Sequence, residues 1–151
     1  MQSTSLTIEW HNWGLCSSDD IVLERTTISR ASSTIHVKHF NGRQDLIHDE
    51  LVRVKADEIH DLFVLIDQVL DAEAWIPDYS VDVCDGFMWY MYVRQGRSTP
   101  VKVHGTIEPP PFGLDIETRI RNMLQNTEST IDPELFCACS LLLSSALSVS
   151  R

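Results

Sequence analysis

Phe87-Met88-Trp89-Tyr90-Met91-Tyr92-Val93-Arg94 is the densest run of large strand formers in the chain, and its reading decides the fold. Successive strand side chains point to opposite faces, so Phe87, Trp89, Met91 and Val93 share one side and Met88, Tyr90 and Tyr92 the other. Gln95-Gly96-Arg97 supplies a turn, and Pro100 to His104 brings the chain back with Val101 and Val103 alternating against Lys102 and His104. Proline cannot donate to a ladder, so the returning strand starts at Pro100 or lies at a sheet edge. The Phe87/Trp89 side needs a cover. One is at hand upstream, where Ile59, Leu62, Phe63, Ile66, Val69 and Leu70 recur at spacings of three and four and predict a helix over Asp57 to Leu70. Asp57 is placed to cap its first turn.

Further upstream, Leu6, Ile8 and Trp10 alternate with polar residues, as do residues in Ile21 to Ser29 and Thr34 to Phe40, and a less regular extended run covers Leu46 to Lys55. Asn41-Gly42 suits the positive φ angles of a hairpin turn. Val81 and Val83 alternate with Asp82 and Cys84, a further short strand, and Asp85-Gly86 turns into the aromatic run. Downstream, Pro109-Pro110-Pro111 breaks the chain. A second helix follows over Leu114 to Gln125 with Ile116, Ile120, Met123 and Leu124 on its apolar side, and Asp132-Pro133 starts a third, nearly apolar all round, over about 133–149. The order predicts a two-layer α+β domain: an antiparallel sheet of about 5–7 strands, with about three helices mainly on one face.

Composition bounds the function. The chain has 151 residues, 43% hydrophobic and 23% charged, with 22 acidic against 12 basic side chains and a formal charge of −10. That apolar share suits a single globular domain over residues 1–151. Nucleic-acid affinity comes largely from Lys and Arg neutralising phosphates, so the acidic excess excludes nucleic acid as a main partner and disfavours anionic membranes. No window approaches the roughly 20 apolar residues of a spanning helix. The opening MQSTSLTIEW lacks the layout of a signal peptide, so a cytoplasmic protein is expected. The charge is local: residues 45–85 carry twelve acids and two bases, and the remainder carries ten of each.

Motifs exclude more than they assign. Of Cys16, Cys84, Cys137 and Cys139 only the last two are neighbours, one residue apart, whereas a zinc ribbon needs two pairs spaced by two to four; buried thiols are the simpler reading. Neither a nucleophile elbow, a phosphate-cradling glycine loop nor His-Glu-x-x-His occurs, so no nucleotide cofactor or other cofactor is implied. His36 and His39 point to opposite sides of a strand, form no bidentate pair, and read as a solvated strand face. Asp57, His60 and Asp61 share one helical turn and have the chemistry for a divalent metal or an acid/base pair, but a metal helix draws further ligands from a second element; a solvated face is preferred and no metal site is expected. A Cys84 nucleophile would need a histidine that nothing in the sequence places beside it, and Asp85 reads as a turn residue.

The acidic helix, Cys84-Asp85-Gly86-Phe87-Met88-Trp89, the Gly96 turn, the strand Val101 to Gly105, Pro109-Pro110 and the short helix after it resemble a class of small uncharacterised bacterial α+β domains over about residues 50 to 125. Some similar acidic domains act as immunity proteins that bind and block a toxin. The resemblance implies a binding role and transfers no functional residue.

Two surfaces are candidates. Asp57, Asp61, Asp67 and Asp71 give the first helix a carboxylate face suited to a basic protein partner, with electrostatic steering of encounter. Met88, Tyr90, Tyr92, Lys102 and His104 fall on the sheet face opposite the helices, a contact surface for a partner or ligand, since Tyr and Met are enriched in interface cores. The leading expectation is a non-enzymatic protein-binding domain of immunity type, with no catalytic residue assigned. The alternatives are a small-molecule-binding or modest hydrolytic site built on Tyr90, Tyr92, His104 or Cys84, and a homo-oligomeric module whose homodimer seam is the apolar helix 133–149.

Overall fold

Alternation along the strands sets which side of the sheet is covered. The computed structural model describes residues 2–12, 17–82 and 87–126. In chain order these form β1 (Ser5–Asn12), β2 (Ile21–Ser29), β3 (Thr34–Asn41), β4 (Leu46–Arg53), α1 (Ala56–Asp71), β5 (Asp78–Tyr79), β6 (Phe87–Arg94), β7 (Val101–Gly105) and α2 (Gly113–Gln125). The strands make one seven-stranded sheet in the order β4-β3-β2-β1-β6-β7-β5. Neighbours are antiparallel except β5 and β7, which pair in parallel over two residues. The first four strands form a meander, and β6 returns to the free side of β1, so β1 sits centrally between a near and a distant neighbour.

Register aligns the apolar sides of these strands into rows. Val52, Ile35, Ile28, Leu6 and Val93 form one row, and Val37, Thr26, Ile8, Met91 and Val103 the next. Both helices lie on this face. Ile59, Leu62, Phe63 and Ile66 of α1 and Ile116, Ile120, Met123 and Leu124 of α2 join the sheet residues in one buried cluster. The two-layer reading follows from that shared cluster, because among the described residues no helix contributes to the other face.

Several local expectations change. Two helices, not three, stand among the described residues; the third, 133–149, lies outside them, as do the four cysteines and Asp85-Gly86. Asp57 does not cap α1: Lys55 occupies that position with no side-chain cap, and Asp57 lies in the first turn, where its charge still complements the dipole. At Asn41-Gly42 the positive φ falls on Gln44 (65°) instead. The Asn41 side-chain carbonyl accepts from Arg43 and Asp45 N–H at 3.0 Å each, and Gly42 leaves room for the Ser17–Ser18 backbone, which an added Cβ would meet at 3.0 Å. Val81 is outside any strand because its N–H is taken by Thr106 Oγ1 at 2.9 Å, and its side chain is exposed. Pro100 stands just before β7, which is flanked by β5.

Candidate functional site

The open face of the sheet is built by the polar partners in the same alternation. Cross-strand register sets Asp49, Lys38, Arg25, Glu9, Tyr90, His104 and Asp78 in one row across all seven strands. Tyr92 pairs with Lys102 in the adjacent row. Tyr90 is the hub. Its ring lies 5.7 Å from His104, 6.3 Å from Tyr92 and, edge-on, 5.1 Å from His11, centroid to centroid. The Lys102 ammonium sits 5.2 Å from the Tyr90 ring centre and 5.9 Å from that of Tyr92, within cation–π range. The Tyr90 hydroxyl donates to Met88 Sδ at 3.0 Å. Met88, Tyr90, Tyr92, Lys102 and His104 are thus brought together on one surface. The sequence reading did not join Glu9, His11 and Arg25 to them, although the alternation of Leu6, Ile8 and Trp10 puts Glu9 and His11 opposite the core.

The electrostatics of this face are paired rather than poised. Arg25 Nε donates to Glu9 at 2.6 Å and its guanidinium also stacks 5.2 Å from the Phe40 ring centre. His104 faces Asp78 at 3.6 Å, and His36 donates to Asp49. Burial, with Glu9 and Tyr90 adding to it, pushes the Tyr92 phenol above its ordinary 10.0, so it stays protonated at neutral pH. Tyr92, Tyr90 and His104 stack in sequence, and His11 closes on Tyr90 edge-on.

The acidic helix divides. Asp57, Asp61 and Asp71 are exposed and make no ion pair among the described residues. Asp67 differs: it accepts from the Ser3 N–H at 2.8 Å, the Ser3 hydroxyl at 2.6 Å and Arg30 at 2.7 Å, clasping α1 to the start of β1 and the β2–β3 turn. Burial raises its carboxyl pKa, but the Ser3 and Arg30 hydrogen bonds outweigh that and hold it below the ordinary 3.8. A depressed folded-state value stabilises the fold above pH 3.8, and the gain is lost as pH falls through the folded value. Asp67→Asn should therefore lower stability by about 1.5–3 kcal/mol at neutral pH. Urea midpoints at pH 7 and pH 3 check this, since the variant's deficit must shrink in acid.

A second polar cluster escaped the sequence reading. His39, expected on a solvated face, is fully buried, as is Glu24 at 1% exposure. Their row, His48-His39-Glu24-Trp10-Trp89-Gly105, lies under α2. Arg121 of α2 reaches down to donate to Glu24 at 2.7 Å and to Glu117 at 2.6 Å, and His39 Nε2 donates to Glu24 at 3.1 Å. Burial pushes the Glu24 carboxyl up, but Arg121 and His39 prevail and hold it low. Glu117 goes the other way: burial, reinforced by Glu24, exceeds the pull of Arg121. The signal was in the parity, since His39 shares a face with Ile35 and Val37, and Glu24 with Thr26 and Ile28.

Among the described residues no three His, Cys, Asp or Glu side chains come together as a metal site, and no helix is long and apolar enough to cross a membrane. No family model matches the chain, and no curated protein matches it closely enough to count as a relative.

Proposed function

We propose that this protein is a small, non-enzymatic protein-binding domain that engages a basic partner through its acidic side, in the manner of an immunity-type inhibitor. The observation that carries the reading is selective pairing. Arg25, Arg43 and Arg121 are tied to carboxylates outside α1 and Arg30 to Asp67 within it, while Asp57, Asp61 and Asp71 on α1 stand without a counter-ion among the described residues. A standing negative field of this kind raises the rate of encounter with a cationic protein and falls with salt. The sheet-face rings supply a second contact surface of the composition found in interface cores, and the stacking of Tyr90 on Tyr92 and His104 favours that use over hydrolysis.

Immobilised protein should retain basic proteins from its own source, identified by mass, with retention falling at least tenfold when Asp57→Lys and Asp61→Lys are combined. Asp67 is left alone in that variant because the fold depends on it. Retention that ignores the reversal, or that selects acidic proteins, would sink the proposal.

A further inference from the structure

The sheet ends in two unlike edges. One is β5, two residues long; the other is β4, eight residues long, with no strand beyond it among the described residues. The Val54 N–H bonds the Ser33 carbonyl at 2.8 Å, so in this antiparallel ladder Ile35/Val52 and Val37/Glu50 are the hydrogen-bonded pairs that follow. The backbone N–H and C=O groups of Asp49, Leu51 and Arg53 consequently point outward from the sheet. Their side chains lie on the open face, opposite in parity to buried Val52. The stretch is bounded at both ends: by the bulge between the pairs at His48 and Leu46, and by the Lys55 carbonyl, which accepts from the Glu58 and Ile59 N–H groups at the start of α1.

This stretch is complementary to itself. Laid antiparallel on its own copy about a two-fold axis through Leu51, it sets Asp49 opposite Arg53 of the second copy, Leu51 opposite Leu51, and Arg53 opposite Asp49. No other two-fold register pairs all three outward residues with one another. An axis through Asp49 or Glu50 brings like carboxylates together, one through Arg53 brings two guanidinium groups together, and one through Val52 carries Asp49 past Arg53 to Lys55, whose carbonyl is committed to α1. The side chains are available for the Leu51 register. Leu51 is 63% exposed, and Arg53 is exposed and makes no ion pair among the described residues. His36 bonds Oδ1 of Asp49, which leaves Oδ2 for a guanidinium, and it holds the carboxyl below its usual range, so the charge persists. Glu50 is an inward charge of the kind that guards an edge. Here His48 Nε2 donates to it at 3.2 Å, and the Leu51 register sets it opposite Val52 of the second copy, not opposite a like charge.

We infer that the chain forms a two-fold homodimer through the outer edge of β4, joining two seven-stranded sheets into one about an axis at Leu51. Three hydrogen-bonded pairs, each exchanging two main-chain bonds, supply the affinity, and the crossed Asp49–Arg53 pairs fix the register. This seam is a strand edge, distinct from the apolar segment 133–149. The inference goes beyond the basic-partner reading and does not depend on it.

Sedimentation of the full chain over a concentration series reaching the millimolar range tests it, in about 0.15 M salt so that the overall charge is screened beyond roughly 8 Å. A reversible monomer–dimer equilibrium is expected, and in amide exchange followed by NMR the Asp49, Leu51 and Arg53 amides should slow at least tenfold as the dimer fills, while Val52, already bonded to β3, is unchanged. Asp49→Arg alone and Arg53→Asp alone should each weaken association at least tenfold, because both crossed pairs become repulsive. An equimolar mixture of those two variants should associate again, since every crossed pair in the mixed dimer is attractive. Leu51→Lys, which sets two ammonium groups together at the axis, is the check if either charge variant fails to fold, and it should weaken association to a similar extent. A monomer at every concentration, a dimer indifferent to these substitutions, a mixture no tighter than its components, or protection confined to other amides would overturn the inference. Retention of basic proteins through Asp57 and Asp61 is read separately, so either result can fail while the other stands.

Discussion

Arg121→Met is expected to lower folding stability by about 3–5 kcal/mol, among the largest single losses available to this chain. Among the described residues Arg121 is the only basic side chain that contacts both Glu24 and Glu117. Methionine keeps much of the volume and removes the charge, leaving the Glu24 carboxylate under α2 with His39 for company. A buried ion whose partner is deleted retains its full desolvation cost, which is why removing one member does more harm than removing all. Glu24→Gln, Glu117→Leu and Arg121→Met together should therefore recover most of the loss. The two carboxyls pull in opposite directions with pH. The lowered Glu24 value stabilises the fold above its ordinary 4.5, a gain lost as acid is added, whereas the raised Glu117 value favours the folded state below 4.5 and weakens it as pH rises. Urea unfolding read by tryptophan fluorescence measures both variants. A single-variant loss under about 1 kcal/mol would mean that water reaches the pair.

Trp89→Ala should cost a similar amount, about 3–5 kcal/mol, for a different reason. Trp89 is 2% exposed and stands where β6, β7 and the chain leading to α2 meet. Its indole N–H donates to the Glu108 carbonyl at 3.0 Å, fixing the segment that carries Pro109 and Pro110 over the sheet. Across the ladder lies Gly105, whose missing side chain makes the space: an added Cβ would come within 2.7 Å of Trp89 Cζ2 and 3.0 Å of Tyr79 Cβ. Truncating the indole thus opens a cavity and strips the Glu108 carbonyl of its donor. Trp89→Phe, which keeps a ring but not the N–H, should lose clearly less. Equal losses in the two variants, by the same unfolding assay, would contradict the division into cavity and hydrogen bond.

Period-two patterning located β1, β2, β3, β6 and β7 and the side each one buries, and the three-four spacing located α1 and α2, because both signals come from burial against one common layer. It grouped the five sheet-face residues for the same reason. What it lost was charge inside the core. Glu24, His39 and Glu117 sit at positions whose parity or helical spacing marks them as inward, yet their polarity argued for water; only the reach of Arg121, 97 residues from Glu24 in sequence, makes them tolerable there. Asp67 was misread likewise, since Ser3 and Arg30 meet it only after β1 and β2 are in place. The parallel pairing of β5 had no local signal, being two residues long and set by a distant neighbour.

The central place of β1 has a bearing on how far this chain can change in length. Leu6 meets Ile28 on one side, 22 positions along, and Val93 on the other, 87 positions along. The ring closed by the second ladder is about four times the first, and polymer statistics assign that difference only about 1.2 kcal/mol of entropy. That is less than the gain from sinking one leucine into the core. The extent of the stretch from Arg53 to Phe87 is therefore nearly neutral, and residues added within it but outside α1 and β5 should leave the other six strands paired. Helix α1 rests where it does through Phe63, Ile66 and the Asp67 clasp, not through the shortness of the chain on either side.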